Sequence, residues 1–502
     1  MEYEKLTDLL RARSNINAEE KFVSEISTGT ELTYVVFFQL VQERTRFMKN
    51  CGLQAGDKVG LLCRNGIEFM VDFFAILEND AIVVPANPAL KYRELIYIFQ
   101  DANLKYMITE SKDRRMSKLA QALCTYKINQ ETNFVEIDSH VSEDLRPDNL
   151  TEGTALILHT SGSTGEAKGV MLTHQNLLSE MKNIITAHEL TARDKVLCVL
   201  PWFHINGLVI TMLTPLLAGH EIVVAEKFSQ KNFWKWVDDY QVTWFSGVPT
   251  IYVYLLADTN FSPHNSLRFA RSASSSLPIK VLEEFEMRYQ VPIIESYGMT
   301  EGGSQLTSNP VWPGVRKPGS VGVPYGLEMR IVNDEGNVCQ IGEAGEVQFC
   351  GDSISEGYYK KAEETEQGFD GRWLKTGDIG YLDEDGYLFL NGRKKEIINR
   401  SGEKFSPREI DEVLYQYKKI KMAAAVGVPD SVHGEEVVAF CVPKEEETLC
   451  ESEIIEFCRI YLADYKVPKE IIFVEELAIG GNGKIQRLKL KDEYQSRRNK
   501  SK

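Results

Sequence analysis

Thr160-Ser161-Gly162-Ser163-Thr164-Gly165-Glu166-Ala167-Lys168-Gly169 follows the apolar run Ala155-Leu156-Ile157-Leu158-His159 and precedes a helix that opens near Thr173. Hydroxyls, glycine backbone and one lysine at this density can wrap a polyphosphate. Glycine lets amides approach the anion, Ser and Thr donate hydrogen bonds, and Lys168 supplies charge. The spacing differs from G-x-x-x-x-G-K-[ST], because Lys168 stands between Ala167 and Gly169, so P-loop NTPase chemistry is not indicated. Taken alone, such a cluster is equally a surface loop, and the surrounding sequence has to decide between the two.

Outward from this loop, short apolar runs alternate with amphipathic segments: KVGLLC, IEFMVDFFAIL, AIVVPANP and VLCVLP before residue 202, then LEEFEMRYQ and VPIIESYG. That alternation predicts layered α/β sheets with mainly parallel strands. From about Gly326 the texture changes to EMRIVNDEGNV, GEVQFCG and GYLDEDGYLFLNG, short strands with Gly and Asp-Gly turns. After Arg393-Lys394-Lys395 the pattern is helix, strand, strand, helix (SPREIDEVLYQ, AAAVGVPD, EVVAFCVPK, ESEIIEFCRIYL). The expected fold is therefore α/β, with a large N-terminal domain over 1–393, a β-rich subdomain at about 320–393, and a small α+β C-terminal domain over 394–502. The terminal SRRNKSK reads as a frayed tail.

The chain has 502 residues, 57 Lys+Arg against 73 Asp+Glu, and 43% hydrophobic residues. Its net charge of −16 would repel a nucleic-acid backbone, while its apolar content suits a buried core. The N-terminus MEYEKLTDLLRARS has no apolar signal region, so a cytoplasmic protein is expected. The apolar stretch Val196 to Ala225 is interrupted by Pro201, His204, Asn206, Pro215 and His220, and reads as buried strand and helix rather than a membrane span. Nine cysteines without a C-x-x-C pair indicate reduced thiols, with neither a disulfide framework nor a zinc site.

Five segments in order carry a family resemblance: LILHTSGSTGEAKGVMLTHQNL, PWFHINGL, ESYGMTE, LKTGDIGYLDEDGYLFLNGRKKEIINRSGEKFSPREIDEVL and GGNGKIQR. Together they resemble the acyl-adenylating, AMP-forming superfamily of acyl-CoA synthetases, firefly luciferase and peptide-synthetase adenylation domains. NFWKWVDDYQVTWFSGVPTIY, LRFARSASSSL and RKPGSVGVP are similar to small-acid CoA ligases of the oxalate-CoA ligase kind. The resemblance implies activation of a carboxylic acid by ATP to acyl-AMP with release of pyrophosphate. Transfer to the thiol of CoA follows, or, as the alternative, transfer to a carrier-protein phosphopantetheine. A non-catalytic nucleotide-binding protein is the remaining reading, but the residues it would lack are present.

By the same resemblance, Thr160, Ser161, Gly162, Ser163, Thr164, Gly165 and Lys168 hold ATP phosphates. Tyr297 stacks on adenine beside Gly298, a further ATP-binding residue, Thr300 meets the α-phosphate, and Glu301, with Thr160, the Mg²⁺. Asp378, read as lying in a polar turn, binds the ribose hydroxyls with Arg393. Lys484, on the glycine-rich loop GGNGK, is the implied catalytic lysine, and Asn482 stands where many relatives carry Thr. His204 and Asn206 face the acyl site, with His204 also a gate between half-reactions. Ser274, Ser275 and Ser276 wall it with hydroxyls that suit a short or polar acid. Phe203-His204 offers no acid to meet an ammonium group, which counts against an α-amino acid. Lys395 matches the hinge of a mobile C-terminal domain, and Gly402 a pantetheine tunnel.

Overall fold

The computed structural model describes residues 3–109, 127–129, 134–136, 149–160, 167–258, 266–445, 447–480 and 484–500. Among them the strands form four sheets. The first is built on Lys58–Leu62, Ile82–Pro85, Tyr106–Thr109 and Thr154–Thr160, paired in parallel, with Lys168–Thr173 returning antiparallel to Thr154–Thr160. The second runs in parallel through Lys21–Glu25, Glu221–Val224, Lys195–Cys198, Trp244–Gly247, Phe269–Ser272 and Ile293–Tyr297. Lys58–Leu62, Ile82–Pro85, Glu221–Val224, Trp244–Gly247 and Phe269–Ser272 are buried along their whole length. A strand covered by helices on both faces reads as a continuous apolar run, which is why the sequence shows runs here and not alternation.

A third, antiparallel sheet holds Glu328–Val332, Gly345–Cys350, Trp373–Leu382 and Leu388–Arg393. The fourth pairs Ile420–Asp430 with Gly434–Pro443 over eleven and ten residues, and belongs to the separate C-terminal α+β domain with helices Pro407–Gln416 and Glu451–Tyr461. One buried apolar cluster contains residues of both domains, and several side-chain to main-chain hydrogen bonds join them. Glu412 Oε2 accepts from the Ile279 amide at 3.2 Å, capping the helix Ile279–Tyr289. Arg408 donates to the carbonyls of Leu390 and Gly319 at 3.0 and 3.2 Å, and Lys280 to that of Gln416 at 3.3 Å.

One expectation is corrected. The tail SRRNKSK is not frayed through Lys500: it completes the helix Arg487–Lys500, where Arg497 donates to Glu493 one turn back at 2.7 Å. No helix among the described residues is long and apolar enough to cross a membrane. Among the described residues, none of the eight cysteines is joined to another by a disulfide.

Candidate active site

Strand ends supply the site. Helix His174–His188 begins as the sequence requires: Thr173 Oγ1 accepts the Asn176 amide at 3.0 Å, and Asn176 Oδ1 accepts the Thr173 amide at 3.0 Å, a reciprocal cap. Thr160 ends its strand directly opposite Lys168, and the Lys168 ammonium lies 4.9 Å from the centre of the Tyr358 ring. Ser161, Gly162, Ser163, Thr164 and Gly165 lie outside the described residues.

Tyr297 closes the last parallel strand, and the turn Thr300–Gly302 follows it. Gly298 is required there, because a Cβ at that position would lie 1.7 Å from the Ser304 carbonyl oxygen. Glu301 is buried at 7% exposure. Its Oε1 accepts the Tyr358 hydroxyl at 2.7 Å, leaving Oε2 with no side-chain partner among the described residues. A single carboxylate of this kind suits Mg²⁺, which takes one or two carboxylates and completes its octahedron with phosphate oxygens and water. No group of three or more His, Cys, Asp or Glu that would cage a metal exists among the described residues.

Asp378 differs from its expected place. It sits inside the ten-residue strand Trp373–Leu382, not in a turn. The polar look of Thr376-Gly377-Asp378 comes from a register shift: Gly377 takes φ +71°, and Thr376 Oγ1 donates to the Val347 carbonyl at 2.7 Å. Asp378 pairs in the ladder with Arg393, Arg393 Nε lying 3.5 Å from Asp378 Oδ1, and the Tyr297 hydroxyl donates to Asp378 Oδ2 at 2.5 Å. Burial raises the Asp378 pKa against the pull of Arg393 and Tyr297. Burial, reinforced by Asp378, pushes the Tyr297 hydroxyl well above its ordinary value.

Lys484 enters this group from the C-terminal domain, at the base of a loop closed by the Gly480 amide donating to the Lys484 carbonyl at 2.7 Å. Its pKa is lowered to about 8, first by burial and then by Arg393, against the opposing charges of Asp378, Glu301 and Glu396. The same ammonium reaches His204. Burial and Lys484 lower that imidazole to about 4, so it is neutral at pH 7, and its Nε2 is buried without a partner. The structure therefore gathers Glu301, Tyr297, Asp378, Arg393, His204 and Lys484 into one electrostatically coupled cluster.

Beside His204, Asn206 opens a π-helical segment, Asn206–Leu213, and donates to Ser274 Oγ at 3.0 Å. Ser274 holds φ +78°, an uncommon conformation for a side chain with a Cβ. Ser275 and Ser276 are exposed; of the three serines expected in an acyl wall, Ser274 is the one bonded to Asn206. Lys395 lies in the exposed turn after Arg393. Gly402 is exposed at a hairpin tip with φ +93°, its amide bonded to Asn399 Oδ1 at 3.1 Å, and is no part of the cluster.

Behind the acyl wall lies a group that the motif reading passed over. Arg271 is 1% exposed. Nη1 donates to Asn206 Oδ1 at 2.9 Å and to Ser246 Oγ at 3.1 Å, and Nε to Gln305 Oε1 at 3.2 Å. All its hydrogen-bond acceptors are neutral, and burial lowers its pKa to about 10. Gln305 is anchored in turn by its amide to Glu180 Oε1 at 2.6 Å, where burial lifts the Glu180 carboxyl to about 8. The chain Asn206–Arg271–Gln305–Glu180 ties the Asn206–Ser274 pair to the helix His174–His188. The only sequence signal was a lone arginine in the apolar run FARS.

These features belong to one class. Residues 12–359 match the family AMP-binding enzyme and residues 409–484 its AMP-binding enzyme C-terminal domain, and the chain belongs to this family. It is similar to the oxalate–CoA ligase of Arabidopsis thaliana, 37% identical over 481 residues that cover 92% of this chain and 93% of the relative. It is also similar to the sulfoacetate–CoA ligase of Cupriavidus necator, 34% identical over 497 residues and 97% of both chains. The ATP-bound structure of MatB from Rhodopseudomonas palustris superposes with a TM-score of 0.87 at 26% identity, covering 97% of this chain and 99% of that one. The same protein in its apo form gives 0.76. The arrangement of this chain is thus nearer to the ATP-bound form of that protein.

Proposed function

We propose that this chain is an AMP-forming acid–CoA ligase that joins a short, polar carboxylic acid to CoA through an acyl-AMP. The observation that carries the reading is the convergence of Lys484, from the C-terminal domain, on Asp378, Arg393, Glu301 and His204 of the larger domain. In the first step a carboxylate oxygen of the acid attacks the α-phosphorus of ATP in line, and the bond to pyrophosphate breaks. Lys484 draws the two anions together and stabilises the charge of the transition state. Tyr297 and Thr300 orient the adenylate, Asp378 and Arg393 hold its ribose, and Thr160 and Lys168 meet the phosphates. Glu301 would hold a magnesium ion, which would supply charge neutralisation for the phosphates. In the second step the thiol of CoA attacks the acyl carbon and AMP leaves. We assign this step to a second orientation of the C-terminal domain, reached by pivoting at Lys395 and bringing Gly402 to the pantetheine path.

Arg271 supports the substrate class. A buried guanidinium facing only neutral acceptors leaves unspent positive potential behind Asn206 and Ser274. Such a wall favours an acid with a second polar or anionic group, in keeping with the oxalate and sulfoacetate in the names of two relatives. The test is mass spectrometry after incubation with ATP, Mg²⁺, CoA and pooled short, dicarboxylic, sulfonated, aromatic and fatty acids. A new short-acid CoA thioester is expected. Acyl-AMP without thioester would move the acceptor to a carrier-protein phosphopantetheine, and selection of a fatty acid would refute the polar wall.

A further inference from the structure

We propose that Asp101 and Tyr97 are positioning residues for ATP, acting as a clamp on the two paired strand ends marked by Thr160 and Lys168, and this rests on the ligase reading. The two residues lie four apart on the helix Tyr92–Asp101 and so share a face. Asp101 Oδ2 meets His159 Nε2 at 3.0 Å, with both side chains almost completely buried at 3% and 2% exposure, and His159 is the residue before Thr160. The Tyr97 hydroxyl donates to the Ala167 carbonyl at 3.0 Å, and Ala167 is the residue before Lys168. One helical turn therefore grips both strand ends.

The hairpin stem transmits this grip. His159 and Gly169 are partners in the ladder, as are Thr160 and Lys168. A Cβ on Gly169 would come within 2.8 Å of Ile157 Cγ2 and 3.3 Å of His159 Nε2, so the glycine leaves room for the imidazole over the stem. A carboxylate buried this deeply is costly unless it is hydrogen-bonded, and the bond it makes fixes the orientation of the ring. Asp101 bonds to the neighbour of Thr160 and Tyr97 to the neighbour of Lys168. Each acts through a neighbour, setting where the Thr160 hydroxyl and the Lys168 ammonium stand. Phosphate positioning tolerates little slack, since a displacement of about 1 Å can cost roughly a hundredfold in rate.

The test measures the Kd of Mg·ATP by titration calorimetry on the full chain and on Asp101→Ala, Asp101→Asn and Tyr97→Phe. Acid-dependent ATP–pyrophosphate exchange on the same proteins gives the KM values. Loss of a hydrogen bond to a charged group corresponds to roughly ten- to a hundredfold, so Asp101→Ala weakens Mg·ATP by that factor, and Tyr97→Phe by about two- to tenfold. Asp101→Asn, which keeps an acceptor oxygen for His159, recovers most of the loss. The KM for the acid and the rate of thioester formation from supplied acyl-AMP stay within about twofold, a split that a merely structural role would not produce. Equal movement of the ATP and acid constants, or an unchanged Kd, overturns the clamp. If Asp101→Ala does not fold, Tyr97→Phe, which removes one hydroxyl, decides alone. Absence of Mg·ATP binding by the unaltered protein would overturn the ligase reading and the clamp together, whereas normal binding by folded variants overturns only the clamp.

Discussion

Replacing Lys484 separates the two half-reactions. Its ammonium, with a pKa of about 8, is about nine-tenths protonated at pH 7 and about one-tenth protonated at pH 9. The protonated form is the active one, so adenylation is present below pH 8 and falls roughly tenfold per unit above it. Lys484→Ala removes a charge aimed at the reacting phosphorus. By comparison with a lost oxyanion donor, adenylation should drop by about 10² to 10³, or roughly 3–4 kcal/mol. Lys484→Arg keeps a charge that does not titrate, so the alkaline limb should disappear even if the rate is lower. The assay is acid-dependent ATP–pyrophosphate exchange between pH 6 and 10, run beside thioester formation from synthetic acyl-AMP, which should be spared. Equal loss of both half-reactions in Lys484→Ala, or an alkaline limb that survives in Lys484→Arg, would refute the reasoning.

Three further outcomes follow from the buried groups. Arg271→Met removes the guanidinium donor from Asn206 Oδ1, Ser246 Oγ and Gln305 Oε1, leaving Gln305 Oε1 with His188 Nε2 and Ser246 Oγ with Asn206 Oδ1, and should cost about 1–3 kcal/mol in denaturant unfolding. It should also raise the KM of the acid at least tenfold while leaving that of ATP within about twofold. Glu180, raised from 4.5 to about 8 in the fold, is protonated there at pH 7 but ionised when unfolded, so its stabilisation is lost as pH rises between those values. The Tm of the protein should therefore fall more steeply from pH 5 to 8 than that of Glu180→Gln; parallel slopes would count against the assignment. Gly298→Ala drives a methyl group into the Ser304 carbonyl, where neither backbone can yield, and should cost about 1–3 kcal/mol or more with loss of pyrophosphate exchange. A normal melting temperature with full exchange would refute it.

The parallel strands were legible because burial on both faces writes unbroken apolar runs such as Val59 to Leu62 and Ile82 to Val84. The residues that the family resemblance assigns to the nucleotide were found through its motifs, and Tyr297, Glu301, Asp378, Arg393 and Lys484 do converge. Asp378 was misplaced because a bulge at Gly377 imitates a turn in sequence while the ladder continues through it. Ser275 and Ser276 were expected beside Ser274 from the family resemblance; in the structure Ser274 takes a positive φ and the two that follow it are exposed. Arg271 was invisible for the opposite reason. Charged residues are almost never fully buried without partners, and its acceptors come from positions 206, 246 and 305, which no local pattern connects.

The seam between the domains has a consequence for how such chains can be recombined. Arg408, Glu412 and Lys280 read carbonyls and an amide of the opposite domain rather than its side chains. Main-chain groups are the same whatever residue carries them, so this part of the seam tolerates changes in the side chains it faces as long as the apolar cluster shared by the two domains is kept. A C-terminal domain grafted from another member of the family should seat correctly provided it keeps an arginine and a glutamate four residues apart at these positions, which makes the unit carrying Lys484 an interchangeable part.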